Sequence, residues 1–180
     1  MDSALTTWIN AISGHWSLVD AVMVFCAEWG VPIIIGATVA LWWLGQDRLA
    51  ARHACIIAAI AFVASLALNQ VILLFIHRLR PYEVGLTHLL IPPNPDWSFP
   101  SDHATAVASI AAAFWVRGVR WPLWGLLPLS VLICISRVYV GVHYATDILG
   151  GIGVGTSVAS LVNHYYRPDA RLFRWLTALL

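Results

Sequence analysis

Apolar residues run along this chain in long blocks. Five of them, residues 30–44, 53–76, 104–116, 123–138 and 144–163, are separated by short polar stretches such as GQDRLAARH, RGVRWP and YVGVHY and by one long proline-containing loop from residue 81 to 100. A helix that crosses a membrane needs about 20 mostly apolar residues, so each block predicts a span, the shorter ones drawing in flanking residues. Ahead of them, ALTTWINAIS and SLVDAVMVFCAEW are each short for a crossing and carry Trp8, Trp16 and Trp29, a residue type that favours the membrane interface. The pattern predicts an all-α, polytopic membrane helix bundle of five transmembrane helices preceded by two interfacial helices in the outer leaflet. Reading residues 17–29 as a short first span gives a six-helix alternative. A single unit of residues 1–180 is expected: interfacial helices over 1–29, the bundle over 30–166 and a cytoplasmic tail over 167–180.

Composition supports that class. The chain is 60% hydrophobic, only 11% charged, and holds ten tryptophans in 180 residues, far from the profile of a soluble domain. Met1-Asp2-Ser3 offers no basic segment before an apolar one, so no cleaved secretory signal is expected. Cys26, Cys55 and Cys134 lie singly in apolar stretches, which points to neither a disulfide framework nor a zinc site. No basic stripe supports nucleic-acid binding.

The arginines orient the chain. All ten basic residues are arginine, and Arg48 and Arg52, Arg117 and Arg120, and Arg167, Arg171 and Arg174 occupy the first loop, the third loop and the tail. With five spans these three places share one face, which the excess of positive charge marks as cytoplasmic. Arg78, Arg80 and Arg137 then stand on the opposite, outer face, where insertion gives no reason for them.

That face collects HRLRPYE, FPSDHA and SRVYVGVHYATD. Pro100 followed by Ser101 and Asp102 reads as the capped start of a helix, whose free N–H groups form an anion site. Arg80 and Arg137 add planar forks that match phosphate oxygens, and Pro81 ends the preceding helix and fixes where Arg80 points. His143 and Asp147 are four apart, on one helical face. A carboxylate there can accept from one imidazole nitrogen and leave the other free to attack, with His103 as the proton donor to the leaving group.

Taken in order, RP, PSDH and SRVYVGVHYATD resemble the three signature motifs of the type 2 phosphatidic acid phosphatase (PAP2) superfamily, which also contains the vanadium haloperoxidases. The likeness covers about residues 69–155, and the third motif is matched in full by Ser136, Arg137, His143 and Asp147. Leu73 stands where the first motif usually has lysine, and Asp102 replaces the usual glycine of the second. Both departures are similar to the bacitracin-resistance type of undecaprenyl-diphosphate phosphatase.

The resemblance implies a PAP2/haloperoxidase-like core and a bacterial plasma-membrane enzyme whose site faces outward. It implies that His143 forms a phosphohistidine oriented by Asp147 and that His103 serves as acid and then base. Arg80, Arg137, Ser101 and Ser136 would hold the phosphate, with Arg78 supplying the missing lysine charge. No metal or other cofactor is implied. Asp102, awkward beside a phosphate, is expected to turn away as a cap or to bind Arg78. Glu28 and Glu83 are assigned to the outer layer of the site, pairing with Arg78. The expected substrate is a polyprenyl diphosphate among the membrane lipids, in cell-wall carrier recycling. Glycerolipid phosphatase activity and non-hydrolytic anion or lipid transport are the alternatives. Gly151 and Gly155, at GxxxG spacing, permit close helix approach within the bundle or in a homo-oligomer.

Overall fold

The computed structural model describes residues 1–44 and 47–178, and among these it contains helices and no strands: α1 (Asp2–Asn10), α2 (Ser17–Ala40), α3 (Arg48–Leu73), α4 (Asp102–Val116), α5 (Leu123–Tyr139), α6 (Ala145–Tyr165) and α7 (Arg171–Ala178). Gly45 and Gln46 of the expected first loop and Leu179 and Leu180 of the expected tail lie outside the described residues.

Helices α2 to α6 form the bundle. Three of them, α2, α3 and α6, are long and apolar enough to cross a membrane. The other two have 15 and 17 residues, or about 22 and 26 Å at 1.5 Å per residue. Polar connections over residues 74–101 and 140–144 close the bundle at one end. Large apolar side chains such as Leu18, Phe25, Val63, Val71, Leu149 and Leu161 are exposed around the outside, as lipid contact requires.

The expected boundary between residues 29 and 30 falls inside a helix. α2 runs unbroken from Ser17 to Ala40 with Pro32 in its interior, so residues 17–29 are the N-terminal half of the first long apolar helix and neither a separate interfacial helix nor a sixth span. Proline is tolerated inside a membrane helix because neighbouring helices compensate the lost bond. Gly30 is also no breaker: it lies against Ile133 of α5, where a Cβ would overlap that side chain. Only α1 remains as a separate N-terminal helix.

α4 lies at the centre, buried from Ala104 to Ala111 and again at Ala113 and Phe114. Its sequence, DHATAVASIAAAFWV, explains why: a run of small residues lets other helices approach it from several sides. α6 comes closest. A Cβ on Gly151 would stand 2.5 Å from the Ser101 carbonyl oxygen, and one on Gly155 would meet the Thr105 carbonyl oxygen, with Ser109 N at 2.8 Å. The GxxxG pair is therefore used between α6 and α4 within the bundle. Gly155→Val is expected to lower the thermal unfolding midpoint in detergent, because overpacking of this kind costs about 1–3 kcal/mol or more. Gly153→Ala, which adds a Cβ into open space inside α6, serves as the control in which the midpoint does not fall.

At the end away from the polar connections, His53 Nδ1 lies 2.5 Å from the Tyr166 hydroxyl and Arg52 donates to the Thr177 carbonyl at 2.7 Å. Arg117 lies over the Tyr166 ring. Arg78, Arg80 and Arg137 belong to the opposite end, which the antiparallel order of the helices brings to one face.

Candidate active site

The short turn between α5 and α6 carries His143, and several neighbours pin it. Gly141 sits at φ +87, a left-handed conformation suited to glycine, where a Cβ would also collide with the His88 carbonyl. Thr87 Oγ1 donates to the Gly141 carbonyl at 2.9 Å, and Asn10 Nδ2 donates to the carbonyls of His88 and Tyr139 at 2.9 and 2.8 Å. The turn is thus fixed by the 81–100 loop on one side and by α1 on the other.

His143 itself is buried. Its Nδ1 is 2.8 Å from the Ser98 carbonyl oxygen and 3.6 Å from Asp147 Oδ2. The expected direct hydrogen bond to Asp147 is therefore replaced by one to a backbone carbonyl, while the carboxylate stands behind at an electrostatic distance. A carbonyl can only accept, so in the neutral ring Nδ1 carries the proton and Nε2 keeps its lone pair. That nitrogen faces Arg80 Nη1 at 3.4 Å.

Asp147 is a fully buried hub at the start of α6. Oδ2 accepts from Ser98 Oγ at 2.5 Å and from the Tyr144 backbone N–H at 2.8 Å, and Oδ1 accepts from Arg78 Nη1 at 2.7 Å. Its backbone carbonyl receives the Ser101 N–H at 3.1 Å, joining the starts of α4 and α6.

Arg80 is 3% exposed. Its guanidinium donates to the carbonyls of Asp96 at 2.8 Å and Val142 at 2.9 Å, contacts that hold the fork without cancelling its charge. Arg137, also buried, donates to the Ala27 carbonyl at 3.1 Å, and its Nε has no hydrogen-bond partner. Ser101 Oγ is likewise buried without a partner, although Ser101 occupies the cap position of α4. His103, in the first turn of α4, also bonds to the Ala27 backbone and interacts electrostatically with Arg137, His143 and Arg80. Orphaned donors of this kind are costly inside a protein and are a feature of sites that receive a polar ligand. Two guanidinium groups, an imidazole lone pair and a second imidazole together suit nucleophilic transfer of a multiply charged anion.

The remaining expectations fare unevenly. Arg78 does not pair with Glu28, Glu83 or Asp102; it is held between Asp147 and Asp2, at 2.7 and 2.5 Å, over the Tyr144 ring at 3.7 Å. Both faces of its fork are occupied because α1 delivers a carboxylate that the loop residues do not. Glu83 accepts the Arg80 backbone N–H at 2.6 Å, so it shapes the turn after Arg80. Glu28 is exposed on α2 and acts on Arg137 only through its charge. Asp102 neither caps α4 nor binds Arg78: it accepts from Asn69 Nδ2 at 2.6 Å and interacts with Arg80 and Arg137 through its charge. Ser136 gives its hydroxyl proton to the Ile133 carbonyl at 2.7 Å, back into its own helix.

Three participants were not anticipated: Ser98, Asp2 and the Ala27 carbonyl. Ser98 lies in DWSFPSDH beside the motif serine, a polar residue in a loop with nothing in its spacing to mark it. Asp2, Thr6 and Asn10 recur every four residues, which was a readable polar stripe on α1.

The family model described as PAP2 superfamily matches residues 53–171. The chain is 35% identical over 155 residues to undecaprenyl-diphosphatase BcrC of Bacillus subtilis, covering 85% of this chain and 78% of that one. It is 32% identical over 145 residues to the undecaprenyl-diphosphatase of Sulfolobus acidocaldarius, covering 79% and 68%. Among solved structures it is similar to the transmembrane PAP2-type phosphatidylglycerolphosphate phosphatase of Bacillus subtilis, with a TM-score of 0.68 and 23% identity over 94% of this chain and 86% of that one. At that identity the structural likeness speaks for the fold.

Proposed function

Since the chain belongs to the PAP2 superfamily and is a membrane phosphatase of that family, we propose that it removes the terminal phosphate of a polyprenyl diphosphate, undecaprenyl diphosphate, through a phosphohistidine on His143. The observation that carries this reading is the engagement of His143 Nδ1 by the Ser98 carbonyl, which leaves the Nε2 lone pair facing Arg80 Nη1 at 3.4 Å.

Nε2 attacks the terminal phosphorus, and the bridging P–O bond breaks as its oxygen takes a proton from His103. The product is the lipid monophosphate, with the phosphoryl group on nitrogen. His103, now neutral, takes a proton from water, whose oxygen attacks the phosphorus and releases inorganic phosphate and the free imidazole. Arg80, Arg137 and the Ser101 hydroxyl offset charge on the equatorial oxygens. Vanadate, which imitates five-coordinate phosphorus, is expected to inhibit.

An apolar groove of about 480 Å³ between α4, α5 and α6, lined by Val107, Leu127, Val131, Cys134 and Ile152, supports a lipid substrate. Val107 is one turn below His103, and Cys134 is one turn from Arg137, so a prenyl tail can enter where the headgroup ends. The charged groups gather at one end of the bundle, which favours hydrolysis over a transport path strung through the membrane depth. The arginine distribution supports a site on the extracytoplasmic side of a bacterial plasma membrane and a role in recycling the cell-wall carrier lipid.

The test is phosphate release by purified protein in detergent and EDTA, comparing undecaprenyl diphosphate with phosphatidic acid and phosphatidylglycerophosphate. Preferential turnover of the diphosphate is expected. Equal turnover of the glycerolipids would make this a broad lipid phosphatase, and no release from any of them would overturn the enzymatic reading.

A further inference from the structure

The N-terminal helix reaches the site through side chains four residues apart. Asp2 Oδ1 accepts the Thr146 backbone N–H at 3.1 Å, Thr6 Oγ1 accepts the Ala145 backbone N–H at 3.1 Å, and Asn10 binds the carbonyl of Tyr139. Ala145 and Thr146 are the first two residues of α6, whose opening N–H groups have no partner within the helix. α1 therefore caps α6 from another segment of the chain.

Asp2 does more than cap. Its Oδ2 accepts from Arg78 Nη2 at 2.5 Å and from Thr146 Oγ1 at 2.6 Å, while Arg78 Nη1 reaches Thr146 Oγ1 and Asp147 Oδ1, each at 2.7 Å. One guanidinium thus bridges two carboxylates and a hydroxyl and lies over the Tyr144 ring. Both terminal nitrogens of this fork are committed to carboxylates, in contrast to Arg137, whose buried Nε is unpartnered. Asp147, third in α6, faces His143 at 3.6 Å through Oδ2, and Arg78 holds its other oxygen while α1 holds the turn that carries it.

We propose that Asp2 and Arg78 are positioning residues for the reaction: α1 and Arg78 together clamp the first turn of α6 and so set Asp147 behind His143. Arg78 then acts through Asp147 and not on the substrate. This rests on the phosphohistidine reading given above.

The experiment measures kcat, KM and vanadate inhibition for the wild type, Asp2→Asn, Arg78→Gln and Arg78→Lys, with unfolding midpoints recorded to confirm folded protein. kcat is expected to fall about 10- to 100-fold in Asp2→Asn and Arg78→Gln, the size usual for the second layer of partners behind a ligating histidine. KM is expected to stay within about twofold, the pattern of a lost transition-state interaction, while vanadate, which imitates that state, is expected to weaken in step with kcat. Arg78→Lys, which can still reach one carboxylate, is expected to recover part of kcat. A raised KM in Arg78→Gln at unchanged kcat would make Arg78 a phosphate ligand and overturn the proposal. Unchanged kcat in both Asp2→Asn and Arg78→Gln would overturn it as well. Wild-type protein that releases no phosphate would instead remove the parent reading and this one with it.

Discussion

Replacing His143 with alanine is expected to reduce phosphate release by at least about 10⁴-fold, the scale on which removing a nucleophile acts, and to abolish labelling of the protein by a terminally radiolabelled diphosphate. The variant should fold, because the turn around it is held by Asn10, Thr87 and the Ser98 to Arg78 backbone bond. The wild-type pH profile carries a second signature. Burial pulls the His143 imidazole down to about 4; the nearby Asp147 opposes this, and the charges of Arg137 and Arg80 add to it. The reactive form is neutral, so it is present above that pKa and lost as pH falls through about 4. An ordinary histidine, near pH 6.5, would already be mostly protonated at pH 5.5. A kcat/KM profile between pH 4 and 7 distinguishes the two: an acid limb near 6.5 would show that this imidazole is not the nucleophile in the state described.

The second large effect is expected at Asp147. Asp147→Asn keeps the shape but removes the charge that faces His143 and Arg78, and turnover should drop by up to about 10⁴-fold, as for other carboxylates that orient a reacting histidine. Stability should fall as well. Ser98 Oγ and the Tyr144 N–H donate to Oδ2 while Arg78 Nη1 donates to Oδ1, and an amide, which accepts at one end only, must turn its NH2 toward one of these donor sets. Leaving one such buried donor unmet costs about 1–3 kcal/mol. The Arg78 side chain is 30% exposed and keeps Asp2, so the full penalty of a stranded buried cation does not apply. Parallel measurement of kcat and the unfolding midpoint checks both parts. Full activity in Asp147→Asn would leave the Ser98 carbonyl as the sole orienting group.

The residues whose chemistry resides in a side chain were readable from the chain alone. Arg80 and Arg137 stood out because they are placed against the rule that puts arginine on the cytoplasmic face, and His143 with Asp147 by their helical spacing. Pairings made across loops were harder. Arg78 was expected to meet a glutamate, yet it meets Asp147 and Asp2, the latter separated from it by three helices of sequence and brought close only by the docking of α1. Glu83 has the right charge, but the turn after Pro81 aims it at the Arg80 backbone. Helix boundaries failed where composition misled: Trp29 suggests an interface and Gly30 and Pro32 a break, but packing of Gly30 on Ile133 and a membrane environment carry α2 through. The acceptor for His143 Nδ1 left no trace at all, since every residue has a carbonyl.

That last point bears on how the protein tolerates change. The atom that sets the tautomer of His143 belongs to position 98 but to no particular side chain. Ser98→Ala would delete the hydroxyl bond to Asp147 and leave the carbonyl in place, held by the Ser98 N–H on the Arg78 carbonyl at 2.8 Å. A survey that substitutes one side chain at a time would score this position by the lesser of its two contributions. Sequence drift at position 98 can therefore proceed through small residues without disturbing the nucleophile, while an insertion or deletion of one residue between Arg78 and Pro100 would displace the carbonyl and silence the site with every motif intact.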